Sequence, residues 1–382
     1  MNRLFYVDMV PPEMESKKKG QVGLANLGNT CYLNSALQCL RHVPDLTVFF
    51  GKHSDSWIHQ DEEKNSALCR AYKDLIAALW AGEGPSYLRP GGFLKSFRHS
   101  LKDTMFEHMI APMPHDAHEA IMFLLDQLHE GMKRPLNINV VAEEGSPVYG
   151  ALMAWKEKVA PEYSPIVDYF FGLMEISVTC QGCNHVSCRY EAFNMLTGDF
   201  PDMKHDATLE ECIDKAFVSE TIDEYECNTC SPPPRCSDHK SSIETVKGCE
   251  TCSSVEKPKR HPGIVERRIW RLPQNLIVVA KRFSFQGGRM KKCQANLKAE
   301  TVQKFEKWFA PASPESSHRA DYALQSVVDH HGSGNGGHYT AQVKSPLTGL
   351  WDIYDDETVQ QLRDGSRPQL GSMSYILFYR KV

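Results

Sequence analysis

No apolar run in this 382-residue chain is long enough to cross a bilayer, and the first twenty residues lack the apolar core of a secretory signal. Cytosol or nucleus is therefore the expected compartment, with no membrane partner. Neither charge sign dominates: 43 Lys and Arg against 48 Asp and Glu leave a formal net charge of −5. That balance gives no electrostatic case for nonspecific binding to nucleic acid, while an acidic surface remains open to a basic partner. The basic group Lys257, Lys259 and Arg260 reads as a solvated loop, with a nuclear signal as the alternative. Internal repeats are missing too. So is a disulfide framework, because the thirteen cysteines are odd in number and include three C-x-x-C pairs, the spacing of metal ligands in a reducing compartment.

What is present begins with Gly23-Leu24-Ala25-Asn26-Leu27-Gly28-Asn29-Thr30-Cys31 and continues to Leu40. Apolar residues at Leu33, Ala36, Leu37 and Leu40 follow the stripe of a helix with one buried face. Asn29 or Thr30 serves as N-cap, which puts Cys31 in the first turn. Free amides and the positive end of the helix dipole there favour the nucleophilic thiolate. A small buried hydrophobe is the plainer reading of the same cysteine.

Further along, a second helix spans about Ser66–Ala81, with Leu68, Tyr72, Leu75, Ile76 and Leu79 on one face. Pro85 and Pro90-Gly91-Gly92 mark a loop after it. Asp116 with Glu119 three residues on has the capping-box arrangement, ahead of a stripe through Ala117, Ala120, Ile121, Leu124, Leu125 and Leu128. From Tyr169 the pattern turns to short β-branched runs, including Glu175–Thr179. The nearly continuous apolar run from Leu276 to Ala280 reads as a strand buried on both faces. Strands near Tyr322–His330 and His338–Val343 flank a glycine loop, Gly332–Gly337, and a last strand ends the chain.

The wording of these stretches carries more than their periodicity. GLANLGNTCYLNSALQCL resembles the Cys box of the ubiquitin-specific proteases, deubiquitinating enzymes with a papain-like core. HDAHEAIMFLLDQLHE resembles that family's second box, with Pro114, His115 and Ala120 departing from its usual residues. His330-His331-Gly332 through Gly337-His338-Tyr339 resembles its His box, and Tyr354-Asp355-Asp356 its acidic group. The resemblance runs from about Gly20 to Val382 and implies an α+β fold of papain-like type, with a helical thumb, a β-rich palm and zinc-bearing β fingers. It divides the chain into an N-terminal extension, 1–20, and a catalytic domain, 21–382. Within that domain the thumb covers about 21–135 and the fingers about 169–280 with an insertion at 231–261, the palm taking the remainder.

For the site, the resemblance implies Cys31 as nucleophile, His338 as base and Asp355 as the group that orients the base. Asn26 is implied as an oxyanion donor, and Asp356 as a helper on the oxyanion side or at its water. His330 and His331 compete with His338, but they precede the glycine loop rather than the strand after it. The implied activity is thiol-dependent hydrolysis after the terminal glycine of ubiquitin, on ubiquitin and ubiquitinated proteins, by a monomeric domain. A catalytically dead ubiquitin-binding scaffold and a protease for a related modifier are the alternatives. Two C-x-x-C pairs can hold one tetrahedral zinc, and Cys180, Cys183, Cys227 and Cys230 match the family's fingertip site by flanking sequence. Another partition joins Cys180 and Cys183 to Cys249 and Cys252 and leaves Cys227, Cys230, Cys236 and His239 for a second ion. Cys39, Cys69, Cys188, Cys212 and Cys293 have no pairing signature and read as structural.

Overall fold

The computed structural model describes residues 20–61, 63–82, 85–230, 260–334, 336–363 and 366–382. The first third is helical: α1 (Cys31–Arg41), α2 (Pro44–Lys52), α3 (Lys64–Leu79), α4 (Gly91–Ser100) and α5 (Ala117–Glu130). Three helices were expected here and five are found among the described residues. The two extra ones start at prolines, of which Pro90 reads as loop punctuation in the sequence. Pro44 sits in the first turn of α2 and Pro90 is the N-cap of α4, places where a missing N–H costs nothing. The expected stripe of α3 is buried as a set, from Leu68 to Leu79. At α5 Asp116 accepts from the His118 amide at 2.8 Å, as an N-cap should. The reciprocal half of the expected capping box is replaced: Glu119 pairs with His108 at 3.0 Å.

Helices α6 (Pro147–Val159) and α7 (Pro165–Phe170) lead into the strands, and α8 (Leu209–Asp214) lies among them. Strands β3 (Gly172–Cys180), β4 (Val186–Phe193), β7 (Glu220–Glu226) and β8 (Arg260–Arg271) form an antiparallel sheet ordered β4-β3-β8-β7. The larger sheet has β17 (Thr358–Gln361), β16 (Trp351–Asp355), β15 (Gly336–Lys344), β14 (Asp321–Ser333), β18 (Ser374–Lys381), β9 (Asn275–Lys281) and β5 (Met195–Asp199) in that order, with β13 (Val302–Lys304) beside β14. Strand β9 lies between β18 and β5 with six of its seven residues buried, as its unbroken apolar run requires. Three short pairs complete the strands: β1 (Gly23–Leu24) with β2 (Tyr87–Leu88), β6 (Ala207–Thr208) with β12 (Leu297–Lys298), and β10 (Phe283–Gln286) with β11 (Arg289–Lys292). Among the described residues no helix is long and apolar enough to cross a membrane.

Helix α1 is the hub. All eleven of its residues are buried, and it packs on β15, β14, β16 and α5 at once. Its apolar stripe faces the core shared with β9, β14 and β18. A second stripe on α1 is polar, at Asn34, Gln38 and Arg41, and its side chains reach backbone carbonyls of the extended segment in front of the helix. Asn34 donates to Leu24, Gln38 to Val22 and Arg41 to Gly20. Helical positions i, i+4 and i+7 thus meet carbonyls at every second residue of a strand. The Arg41 guanidinium is sandwiched between the Trp80 and Tyr354 rings, each at 5.1 Å.

Candidate active site

Cys31 is the first residue of α1, entered through a turn in which Gly28 (φ +99°) and Asn29 (φ +55°) are left-handed. Glycine and asparagine are the residues that take this conformation at least cost. The N-cap is Thr30, whose hydroxyl accepts from the Leu27 amide at 2.9 Å and so ties the turn rather than the helix. The thiol is 5% exposed. Burial raises its pKa and the Asp356 carboxylate adds to the rise, while the amides of Tyr339, Tyr32 and Cys31 pull the other way. The helix terminus was expected to favour the thiolate; desolvation outweighs it here, and the thiol is held in its neutral form.

The strongest of those opposing pulls comes from the Tyr339 amide, so α1 delivers the sulfur to the residue after His338. Hairpin β14–β15 carries the histidine. Its tip was expected to be an open glycine loop, but the pairing runs up to Gly332 with Gly337 and Ser333 with Gly336. His338 Nε2 lies 2.6 Å from Asp355 Oδ1 across the β15–β16 pair. The carboxylate therefore accepts a hydrogen bond from Nε2–H and leaves Nδ1 with a lone pair. Among the hydrogen bonds of the described residues, a direct one between the thiol and the imidazole is not formed.

The two competing histidines differ. His330 is buried against Phe283 and Tyr339, and burial together with the Lys292 charge pushes its pKa down to about 4. His331 faces His338 across the hairpin and bonds the Thr340 hydroxyl at 3.0 Å, with its pKa also lowered, first by burial. Neither is hydrogen-bonded to a carboxylate among the described residues. Gly337 sits against both: a Cβ there would lie 2.2 Å from the His331 carbonyl and 2.4 Å from the His330 ring. Gly337→Ala is expected to cost about 2 kcal/mol of stability, as overpacking against a fixed backbone does, and to lower activity by shifting His338. Chemical unfolding and turnover, measured together, check it.

Asn26 is fixed from both ends. Its Oδ1 accepts from the amides of Gly28 and Thr30, each at 3.1 Å, and its Nδ2 donates to Asp356 Oδ2 at 2.9 Å. Asp356 has a left-handed backbone (φ +48°), and its carbonyl accepts from Leu24 at 2.8 Å. The structure thus brings Asn26, Cys31, His338, Asp355 and Asp356 to one place, where α1 meets the ends of β15 and β16. Asp352, its near neighbour in sequence, is instead buried and bonded by Gln21 at 2.9 Å. Sequence reasoning missed Asn34, whose Nδ2 reaches Asp356 Oδ1 at 2.7 Å. The available signal was a polar residue inside a helix that the core otherwise surrounds.

Far from this place, β3 and β7 end in the cysteine pairs. The Sγ atoms of Cys180 and Cys230 are 3.6 Å apart, those of Cys183 and Cys227 3.7 Å, and all four lie within 4.8 Å of one another. Tetrahedral zinc with Zn–S bonds of about 2.3 Å sets its sulfurs roughly 3.8 Å apart, so the four thiols fit such an ion. Cys236, His239, Cys249 and Cys252, the other partition, lie outside the described residues. Of the cysteines read as structural, Cys39, Cys69, Cys212 and Cys293 are buried, whereas Cys188 is exposed on β4.

The family model for ubiquitin carboxyl-terminal hydrolase matches residues 22–379. The chain belongs to that family. This ubiquitin carboxyl-terminal hydrolase domain is 28% identical over 379 residues to human ubiquitin carboxyl-terminal hydrolase 2, covering 96% of this chain and 56% of that protein. It is 26% identical over 373 residues to Drosophila melanogaster ubiquitin carboxyl-terminal hydrolase Usp2, covering 96% of this chain and 36% of the relative. The chain therefore spans between about a third and just over half the length of these relatives. A solved structure described as the SAGA Ubp8/Sgf11/Sus1/Sgf73 DUB module bound to ubiquitin aldehyde has a chain of the same fold. The TM-score is 0.69 at 21% identity, covering 98% of this chain and 72% of that one. The α+β, papain-like expectation for the fold holds.

Proposed function

We propose that this chain hydrolyses the peptide or isopeptide bond after the terminal glycine of ubiquitin, through an acyl-enzyme formed on Cys31. The observation that carries the reading is the convergence of the α1 thiol, at the Tyr339 amide, with the His338–Asp355 pair 2.6 Å apart. Because burial raises the thiol's pKa, its proton must leave as the sulfur attacks, and His338 Nδ1 is the base assigned to take it. Apo sites commonly hold such hydrogen bonds long, and substrate draws them in. Asp355 keeps the ring in the needed tautomer and stabilises the imidazolium. The tetrahedral oxyanion falls to the Cys31 amide and to the second N–H of Asn26, a pair worth about 3 kcal/mol of barrier in comparable sites. The protonated ring then gives its proton to the departing amine, and a water deprotonated by the same ring releases ubiquitin.

The helical third would act as thumb, the larger sheet as palm and the β4-β3-β8-β7 sheet as fingers holding the globular body of ubiquitin. Zinc, bound by Cys180, Cys183, Cys227 and Cys230, would be structural, since four thiolates leave no open position for chemistry.

Labelling with a ubiquitin whose C-terminus carries an electrophile tests the reading: wild type should add one ubiquitin mass on Cys31. Folded protein that stays unlabelled would make it a binding scaffold, and preference for another modifier in competition would reassign the substrate. In the same assay Asp355→Ala should slow turnover by roughly a hundredfold, while Asp355→Asn keeps part of the rate because an amide oxygen can still accept from Nε2–H.

A further inference from the structure

We propose that Asn34 is a positioning residue for the oxyanion side of this site, acting on Asn26 through Asp356; the inference rests on the reading of Asn26 as oxyanion donor. Asn34 lies one helical turn after Cys31 and is almost wholly buried. Around its amide stand Asp356 Oδ1 at 2.7 Å, the Leu24 carbonyl at 3.2 Å and the Ala25 carbonyl at 3.4 Å. All three neighbours are acceptors, so the nitrogen must face them. Among the described residues its own Oδ1 is buried without a partner. Buried acceptors are rarely left unpaired, and here the orientation of the NH2 group is what that cost secures.

The consequence falls on Asp356. Each of its carboxylate oxygens receives one amide, Oδ1 from Asn34 and Oδ2 from Asn26. With Asn34 in place the carboxylate cannot turn, so the Asn26 amide has a fixed anchor for one N–H. The Gly28 and Thr30 amides hold its oxygen. One N–H of Asn26 is then left, in one direction, for a ligand. Asn34 also donates to the carbonyls of the Asn26 loop itself, so the nucleophile's helix, that loop and the acidic turn share one amide. Gln38, a turn further along the same stripe, holds Val22 and does not touch Asp356. It supplies the control.

Turnover of a ubiquitin–fluorophore by Asn34→Ala, Asn26→Ala, the double variant and Gln38→Ala, each with its unfolding midpoint, tests the chain of contacts. Asn34→Ala should lower kcat about tenfold or more with KM little changed, because the contact acts when the oxyanion forms. The double variant should fall to the level of Asn26→Ala and no further, since Asn34 acts through Asn26. Gln38→Ala should keep kcat within about twofold of wild type. Asn34→Asp adds a pH signature: facing three acceptors, the new carboxyl can donate only when protonated, so its rate relative to wild type should rise as pH falls. A wild-type kcat for Asn34→Ala, or losses that multiply in the double variant, overturns the proposal. So does a failure of both Asn34 variants to fold, which would make the residue a folding element. A wild-type kcat for Asn26→Ala would instead remove the oxyanion reading beneath it.

Discussion

Cys31→Ala should reduce cleavage of a ubiquitin–fluorophore to background, a loss on the order of 10⁴-fold or more, while ubiquitin binding survives. The size follows from the route: without sulfur there is no acyl-enzyme, and a water in its place would have to attack with no built nucleophile. Folding should hardly notice. The residue is buried and a methyl in place of the thiol leaves only a small void, worth about 1 kcal/mol. Binding should hold or tighten, because a neutral buried group is replaced by another and the Asp356 charge loses a neighbour it would oppose on ionisation. His338→Ala in the same background should add almost nothing to the loss, since two members of one catalytic couple fail together. Residual turnover above about 1% of wild type in Cys31→Ala would send the nucleophile's role elsewhere.

That test also marks the line between what the chain discloses and what only folding reveals. Helix α1, strand β9 and hairpin β14–β15 can be read directly, because their apolar spacing and their neighbouring glycines are local properties. Cys31, His338 and Asp355 could be named from motif wording. Their electrostatics could not. The dipole at the start of α1 is visible in sequence, but the burial that outweighs it comes only with folding, and the Asp356 carboxylate that adds to the rise lies more than three hundred positions away. Helix α4 escaped for a different reason, since Pro90 was taken as loop punctuation when it was serving at a helix start. Asn34 escaped because a polar residue in a buried helix has no period of its own; only with Gln38 and Arg41 does the stripe show, and its partners are carbonyls. The length of the glycine loop was overestimated because glycine also permits close pairing of two strands, as at Gly332 and Gly337.

Removing the zinc proposed for the four cysteines should have the second large effect, and of another kind. Cys227→Ser is expected to take bound zinc from about one equivalent per chain to near zero in protein purified without chelator, because one hard ligand among three thiolates forfeits most of a binding energy of about 10 kcal/mol or more. The damage should fall on the ends of β3 and β7, which the cluster joins, while α1 and hairpin β14–β15 lie in the other half of the fold. KM for ubiquitin substrates should therefore rise about tenfold or more with kcat changed far less, the signature of lost uniform binding. Cys249→Ser with Cys252→Ser separates the two ligand partitions. The sulfur distances of 3.6 and 3.7 Å within the Cys180–Cys183–Cys227–Cys230 group already match a closed tetrahedron, so that double variant should keep its zinc. Two zinc equivalents in wild type, with one lost in each of these variants, would instead favour the other partition, and a fall in kcat as large as the rise in KM in Cys227→Ser would mean that this sheet reaches the chemistry after all.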